Sequence, residues 1–278
     1  MKSSAFSTIS CILLAISYLL APQLQAAEHA EQQLKVLNWN VYYGFDGKKT
    51  LPKASQWLKE QAPDVLALQE LNGITEKQLG EYAKQWGHTH AAMNKEKGFP
   101  MGLTSNQPIE VIERAAQGYH HGFLHCKTHN IHFFVVHLWP NKPQDLDRIL
   151  AKVEPLIQKK ERVIILGDFN ADSKHDAEFI AKQGLKDFSF DYTNKVESKG
   201  FVDLVHKHSP AAKVSFPSPF IIPKWAKNLE EVKAKHCRID FIFASQNLAQ
   251  KSTSATIHIN EVLDKASDHY PVESRFSR

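Results

Sequence analysis

The chain has 278 residues, of which 42% are hydrophobic and 23% are charged, and its formal net charge at pH 7 is +4. This much apolar material can form one large domain with a single core. The charge is not that of a strongly basic nucleic-acid-binding protein, although a local basic patch is compatible with it.

Residues 1–26 have the pattern of a secretory signal peptide. Lys2 gives a positive start, residues 11–21 form an apolar run, and small Ala26 offers a cleavage site. The run is too short and too weakly flanked for a stable membrane anchor, which is the alternative, and no later stretch approaches a transmembrane span. We therefore expect an exported protein, periplasmic or extracellular, whose mature part is a single domain over 27–278 without stable membrane insertion.

The mature chain begins with alternating strand and helix signals. The apolar run at 34–41 predicts a strand that ends in polar Asn40. Thr50 then begins a helix with Pro52 in its first turn, and residues 64–69 predict a buried strand.

The later elements are less regular. Residues 186–236 are rich in Lys, Pro and Ser, which predicts long surface loops with one short element near 201–205. The other predicted elements are, in chain order, a helix from the capping-box sequence 75–78 to Gly87, a β-rich stretch over 98–137 with its strongest strand at 131–137, a helix over 143–160, a strand over 162–166, a helix over 174–183 and strands over 239–244 and 270–276. This alternation predicts an α/β fold in which two sheets pack face to face with helices outside.

Only Cys126 and Cys237 remain after cleavage of the signal peptide. An oxidising compartment permits one disulfide between them, and two buried thiols are the alternative. The sequence leaves this choice open.

Polar residues recur where the hydrophobic runs end. Carboxylate and amide oxygens among them suit Mg²⁺ or Mn²⁺, and two histidines can exchange protons near neutral pH. The set contains no nucleophile motif, so it indicates metal-assisted attack by water on a phosphate ester. The residues are Asn40, Glu70, His137, Asp168, Asn170, Asp203, Asp240, Asp268 and His269.

The order of these motifs resembles that of the endonuclease/exonuclease/phosphatase superfamily. This family includes pancreatic-type deoxyribonuclease, abasic-site endonuclease, inositol-polyphosphate 5-phosphatase and neutral sphingomyelinase. The resemblance covers residues 34–276 and is carried by NWN, LQE, VVHL, GDFN, RIDFIF and SDHYPV. It implies a four-layer sandwich of two packed mixed β-sheets with helices outside, and a site at one edge of the sheets.

The resemblance also implies a role for each residue. Asn40, Glu70 and Asp268 match the metal side, where Mg²⁺ or Mn²⁺ is expected. The catalytic side comprises His137, Asp168, Asn170, Asp240 and His269: Asp168 and Asn170 match the residues that place the attacking water and contact the phosphate, His269 matches the late histidine with Asp240 as its partner, and His137 matches the central histidine. Asp203 fits a less uniform motif, and its role is the least defined.

The expected function is that of an exported, metal-dependent phosphodiesterase that acts on nucleic acid. The alternatives are a sphingomyelinase-like phospholipid hydrolase, an inositol-type or other small-molecule phosphatase, and a non-catalytic binding module. The apolar, Pro-rich segment 216–225 favours a lipid slightly, and the lysine content favours nucleic acid or a soluble phosphate. Among the histidines of 120–137 only His137 lies in a motif, and we expect most of the others to be solvated or to lie on strand edges rather than to bind zinc, because their spacing matches no closed zinc site. The oligomeric state stays open.

Overall fold

Two six-stranded sheets form the centre of the protein. The computed structural model describes residues 33–140, 142–185 and 189–278. Within these ranges the strands are β1 (Gln33–Asn40), β2 (Val65–Gln69), β3 (His90–Met93), β4 (Gly102–Ser105), β5 (Glu110–Ala115), β6 (Phe123–Thr128), β7 (Ile131–His137), β8 (Val163–Asp168), β9 (Phe201–Asp203), β10 (Asp240–Ser245), β11 (Ser252–Ile257) and β12 (Val272–Ser277).

Helices connect and cover the strands. The described α-helices are α1 (Leu51–Gln61), α2 (Glu76–Ala83), α3 (Pro143–Gln158), α4 (Ala177–Gln183), α5 (Asp191–Ser198), α6 (Leu204–His208), α7 (Leu229–Lys233) and α8 (Gln246–Ala249). The predicted capping box is present, since the Thr75 side chain accepts a hydrogen bond from the Gln78 backbone N–H and the Gln78 side chain accepts one from the Thr75 backbone N–H. Both bonds satisfy amides that the first turn of α2 leaves unpaired.

Both sheets are mixed. The first has the strand order β11–β12–β1–β2–β4–β3 and the second has β5–β6–β7–β8–β10–β9. The pairs β1–β2 and β7–β8 are parallel, and their neighbours on either side are antiparallel. The predicted fold class is thus confirmed, and each sheet carries one parallel pair at its centre.

The alternation of side chains along β7 shows how the layers pack. Phe133 and Val135 join the core that contains residues of both sheets. Phe134 and Val136 point to the other face, where they pack with Leu146 and the rest of the apolar stripe of α3. All seven residues of β7 are buried, because one face of the strand packs into the core between the two sheets and the other face packs against the helices.

The structure confirms the short element predicted near 201–205, where β9 and α6 lie, and a largely irregular segment joins α6 to α7. The expectation of loops is wrong at α5 and α7, which lie in the same described part of 186–236. These two helices have eight and five residues. A helix of that length completes one to two turns, which is too little for a periodic apolar stripe to stand out from the sequence.

Cys126 and Cys237 are both buried and free, so the alternative of two thiols applies rather than a disulfide. Residues 1–26, which the sequence assigns to a signal peptide, lie outside the described residues. In the ranges that the structure covers, no helix has the length and apolar character needed to cross a bilayer.

Candidate active site

Strand ends place the predicted residues at one edge of the sandwich. The parallel strands β1 and β2 end side by side at Asn40 and Gln69, and β7 and β8 end side by side at His137 and Asp168. Strand β10 runs antiparallel to β8 and begins at Asp240, directly opposite Asp168. The carboxyl ends of four strands and the start of a fifth therefore meet at the same edge.

The Asp168 carboxylate lies at the centre of this edge. Its Oδ2 accepts a hydrogen bond from Asn40 Nδ2 at 3.0 Å and lies 3.5 Å from His137 Nε2 and 3.7 Å from His269 Nε2. Its Oδ1 accepts the Asn170 backbone N–H at 2.8 Å. Burial raises the pKa of Asp168 to about 7; His269 opposes this shift and Asp240 adds to it. A carboxylate with such a pKa can accept a proton from water near neutral pH.

His269 and Asp240 form a fully buried pair. His269 Nδ1 donates to Asp240 Oδ2 at 2.8 Å, and Ser215 Oγ donates to the same oxygen at 2.7 Å. Burial alone would lower the pKa of His269, but Asp240, Asp268 and Asp168 outweigh it and raise this pKa well above its ordinary value. The surrounding carboxylates therefore favour the cationic form of His269, whose Nε2 faces Asp168.

His137 carries the opposite protonation state. Burial lowers its pKa well below the ordinary histidine value, and neighbouring His121 and His269 lower it further. The His121 ring stacks on the His137 ring with a centroid distance of 4.4 Å. The site thus combines one neutral and one cationic imidazole, both within 4 Å of the same Asp168 oxygen.

A left-handed turn holds the predicted metal side. Residues 42–46 all have positive φ values between 44° and 68°, and Glu70 itself has a φ of 59°. Within this turn the Tyr42 N–H donates to Asn40 Oδ1 at 3.1 Å and the Tyr43 N–H donates to Glu70 Oε2 at 3.0 Å. Only glycine fits at position 44, because a Cβ there would lie 2.1 Å from the Asn72 carbonyl oxygen. Such backbone strain is kept where the surrounding structure fixes a functional geometry.

Asn40, Glu70 and Asp268 converge as the sequence predicts. Asn40 Nδ2 also donates to Glu70 Oε1 at 3.1 Å, and Ser267, the neighbour of Asp268, donates to the Asn40 carbonyl at 2.7 Å. Burial raises the pKa of Asp268 to about 6, with His269 opposing the shift and Glu70 adding to it. Glu70 is half-buried, and within the described part of the chain each of its carboxylate oxygens accepts one hydrogen bond, which leaves a second lone pair for a cation.

A second group of possible ligands overlaps this site. Asp168, Asp240 and His269 each place one ligand atom within 4.8 Å of the others. In this group His269 Nδ1 already donates to Asp240, and the pKa of His269 is raised, so its imidazole does not offer the neutral nitrogen that a metal requires. The oxygens of Glu70, Asp268 and Asn40 are the better set for a hard cation.

Asn170 reaches the site through a compact turn. Its φ is 45°, and its Nδ2 donates to the Leu138 carbonyl at 3.0 Å, which fixes the amide next to the end of β7. Asn170 also lines a cleft of about 170 Å³ together with Pro140 and Tyr192. The amide therefore stands between Asp168 and an open cleft.

Asp203 lies in another cluster. Its Oδ2 is 2.7 Å from Arg238 Nη1, and its Oδ1 accepts the His206 N–H at the start of α6. Arg238 also pairs with buried Asp176 at 2.7 Å. In the sheet, Asp203 of β9 lies opposite Phe243 of β10. Since Phe243 is three positions along β10 from Asp240, Asp203 lies away from the site.

Ser215 is a site residue that the sequence did not reveal. Besides donating to Asp240, its Oγ accepts the backbone N–H groups of Ile239 and Asp240 at 3.0 and 3.1 Å. It is fully buried and precedes the Pro-rich segment 216–225, where no motif distinguishes it. Only its position against the first residues of β10 shows that it orients the Asp240 carboxylate.

The expectation that most histidines between residues 120 and 137 are solvated or lie on strand edges is wrong, because His121, His125, His132 and His137 are buried. Among the described residues these histidines form no separate metal group. His125 Nε2 and His132 Nδ1 are 3.0 Å apart and share a hydrogen bond on the helix-covered side of β6 and β7. His120 and His121 instead lie next to the site, where His120 stacks on Trp139.

Comparison with known proteins shows the family and the fold. The model of the endonuclease/exonuclease/phosphatase family matches residues 37–269. An AP endonuclease from Archaeoglobus fulgidus superposes with a TM-score of 0.71 at 20% identity, and the 3'-5' exonuclease NExo from Neisseria meningitidis with 0.68 at 19%. The 3' phosphatase NExo from Neisseria bound to a product DNA hairpin gives 0.69 at 18%. Each comparison covers 88% of this chain and 100% of the other. No curated protein sequence matches the chain.

Proposed function

The chain belongs to the endonuclease/exonuclease/phosphatase family and is a hydrolase of phosphate esters, and on this premise we propose that it is an exported, Mg²⁺- or Mn²⁺-dependent phosphodiesterase that cleaves nucleic acid. The observation that carries this proposal is the convergence on Asp168 Oδ2 of Asn40, neutral His137 and cationic His269. A buried carboxylate with these three neighbours can orient and deprotonate a water molecule beside a phosphate.

The donor set fits a hard divalent cation. Glu70 is half-buried and keeps free lone pairs, while Asp268 lies near enough to Glu70 for the two charges to repel. A cation bound by Glu70, Asp268 and Asn40 Oδ1 would relieve this repulsion. When bound, it supplies positive charge for the phosphate oxygens, and Mg²⁺ is expected because it takes few protein ligands.

The remaining residues transfer the proton and stabilise the charge on the phosphate. Asp168 holds the attacking water through an oxygen that is fixed by Asn40, and accepts its proton. His269 is kept cationic by Asp240, so its Nε2–H can donate to a phosphate oxygen and offset the charge that develops there. Neutral His137 is positioned to donate or accept a hydrogen bond at the same phosphate.

Nucleic acid is supported as the substrate by the cations at the site. Lys95 is half-buried and lies close enough to lower the pKa values of His121 and His137 by its charge. Lys224 stands on the other side, where its charge is felt by Asp268 and Asp46. A polymer with a phosphate on each side of the cleaved bond can use both lysines at once.

The decisive experiment uses the purified mature protein, residues 27–278. It is assayed with Mg²⁺ and with chelator on DNA, RNA, sphingomyelin vesicles, inositol phosphates and bis(4-nitrophenyl) phosphate, a small diester. We expect metal-dependent cleavage of nucleic acid, and its loss in Glu70→Ala and His269→Ala. Full activity in excess chelator would refute the metal mechanism, and activity on sphingomyelin or inositol phosphates alone would refute the nucleic-acid substrate.

Export is tested separately. We expect the full chain, expressed in a Gram-negative host, to leave the cytoplasm and to lose about 2–3 kDa, the mass of a signal peptide of ordinary length. An intact N-terminus on cytoplasmic protein would contradict export without touching the enzymatic proposal.

A further inference from the structure

Three exposed aromatic rings surround the catalytic histidines. Tyr43, Trp139 and Trp225 are 49%, 45% and 43% exposed, although large rings are usually covered. They come from three separate segments of the chain, before α1, after β7 and before α7. We call these three residues the aromatic rim.

Each ring of the rim is connected to a catalytic histidine through one further ring. On the His137 side, the ring centroid of Trp139 lies 5.8 Å from that of His121, and the ring centroid of Tyr43 lies 5.4 Å from that of Phe99. The His121 and Phe99 rings lie 4.4 and 6.0 Å from His137. On the His269 side, Trp225 and an intermediate ring are 5.6 Å apart, and that ring lies 4.6 Å from His269. The intermediate rings are His121, Phe99 and Phe216.

Contacts hold two residues of the rim, Trp139 and Tyr43, in place. The Trp139 carbonyl accepts a hydrogen bond from the Tyr192 hydroxyl at 2.7 Å, and the Trp139 ring stacks on His120 with an interplanar angle of 25°. The Tyr43 backbone is fixed to Glu70. A ring that is exposed and yet fixed loses little entropy when a flat partner stacks on it.

We infer, resting on the nuclease function proposed above, that the aromatic rim stacks on unpaired bases on both sides of the cleaved phosphate, so that the enzyme prefers single-stranded nucleic acid to duplex. Aromatic rings are the usual platforms for single strands, since every unpaired base has an open face. In a duplex these faces are covered by neighbouring base pairs. Lys95 lies near enough to His137 to act on it by its charge, and Lys224 Nζ lies 4.2 Å from the ring centroid of Tyr42, the neighbour of Tyr43.

The same rings do not form a good surface for inserting into a lipid membrane. The aliphatic residues of the segment 216–225 turn inward: Ile221 is fully buried against Ala226 and Val232, and Ile222 packs on the same small cluster. A membrane-inserting loop would expose such side chains together with its aromatic residues. Trp225 is the only large apolar residue of this segment with more than 40% exposure.

The test compares one oligonucleotide as a single strand, as a duplex and as a single strand of abasic residues, with the small diester bis(4-nitrophenyl) phosphate as reference. Wild type should show at least about tenfold higher kcat/KM on the single strand than on the duplex or the abasic strand, from the stacking of one or two bases. Trp139→Ala and Trp225→Ala should each raise KM for the single strand by roughly 5- to 150-fold.

Two variants control this test. Trp139→Phe keeps a ring and should recover most of the affinity that Trp139→Ala loses. Ile112→Ala removes an equally exposed apolar side chain on the edge strand β5 and should behave as wild type. A duplex cleaved as well as the single strand, or a Trp139→Ala enzyme that loses the same factor on the oligonucleotide and on the small diester, would overturn the stacking inference.

The outcome also separates this inference from the function on which it rests. Metal-dependent cleavage of the small diester and of duplex, without preference for single strands, would overturn stacking and leave the nuclease standing. Failure to cleave any nucleic acid or the small diester would overturn both.

Discussion

Replacing Asp240 by asparagine removes the charge of the buried His269–Asp240 pair while it keeps the shape of the side chain. The asparagine oxygen can occupy the position of Oδ2, which accepts from both His269 Nδ1 and Ser215 Oγ. The new NH₂ group would then take the position of Oδ1, which is buried and has no hydrogen-bond partner among the described residues. The variant therefore keeps its geometry and loses the carboxylate that holds His269 in its cationic form.

The size of the effect follows from these contacts. A hydrogen bond to a charged group contributes about 1.5–3 kcal/mol, which corresponds to roughly a 10- to 150-fold loss in kcat/KM if that charge acts in the transition state. Leaving His269 without its carboxylate and burying an unpaired NH₂ should also lower the free energy of unfolding by about 3 kcal/mol. Activity must therefore be measured per folded molecule.

Asp203→Asn is the matched control. Asp203 is also a buried aspartate that forms an ion pair, but its partner is Arg238. We expect a similar loss of stability in urea unfolding and unchanged kcat/KM at temperatures where the variant is folded. Mg²⁺-dependent hydrolysis of bis(4-nitrophenyl) phosphate, followed below the unfolding transition, measures both variants. If Asp240→Asn stays within about threefold of wild type, or Asp203→Asn loses as much activity, the role of the His269–Asp240 pair is refuted.

Further predictions concern the metal, the strand end and the pH dependence. Glu70→Gln should abolish the rise in melting temperature that Mg²⁺ produces in wild type. It should also raise the Mg²⁺ concentration needed for half-maximal activity at least about tenfold. An unchanged thermal shift would place the metal elsewhere. Gly167→Ala should prevent folding, because the new Cβ would lie 1.8 Å from the Val136 carbonyl oxygen at a φ of 150°. The control Gly80→Ala in α2 should add about 0.5–1 kcal/mol of stability. Soluble yield and thermal melting test the pair, and a stable Gly167→Ala protein would contradict this account. Burial lowers the pKa of His88 to about 4, so the unfolded chain binds a proton between pH 6.5 and 4 that the folded chain excludes, and up to about 3 kcal/mol of stability should be lost as pH falls through this window. Urea unfolding at pH 7 and pH 4.5 should show a smaller loss in His88→Gln than in wild type, and equal losses would contradict the assignment.

The long periodic elements could be predicted from the sequence because their signals are local. The helix over 143–160 appears as Pro143–Gln158, and the strand at 131–137 has the bounds that its apolar run predicts. Signals of this kind depend on the spacing of apolar residues and on capping groups within one segment. The short helices α5 and α7 lack such a repeat, and the sequence predicts loops there.

Candidate site residues could also be named from the sequence, since each lies beside an apolar run and the motifs keep one order along the chain. Their grouping could not. Asp203 and Asp240 both lie beside an apolar run, but Asp203 faces Arg238, and Ser215 has no motif although it donates to the Asp240 carboxylate. Both differences arise from pairing between distant strands and segments, which no local pattern encodes.

The sequence by itself determined the fold class and supplied the polar candidates for the site. Tertiary structure decided the charge state of that site: burial keeps His137 neutral, whereas three carboxylates brought from different segments keep His269 cationic. It also decided that Tyr43, Trp139 and Trp225 stand around the same two histidines. Protonation and stacking depend on distances of a few ångströms between residues far apart in the chain, and only the packing of the two sheets sets those distances.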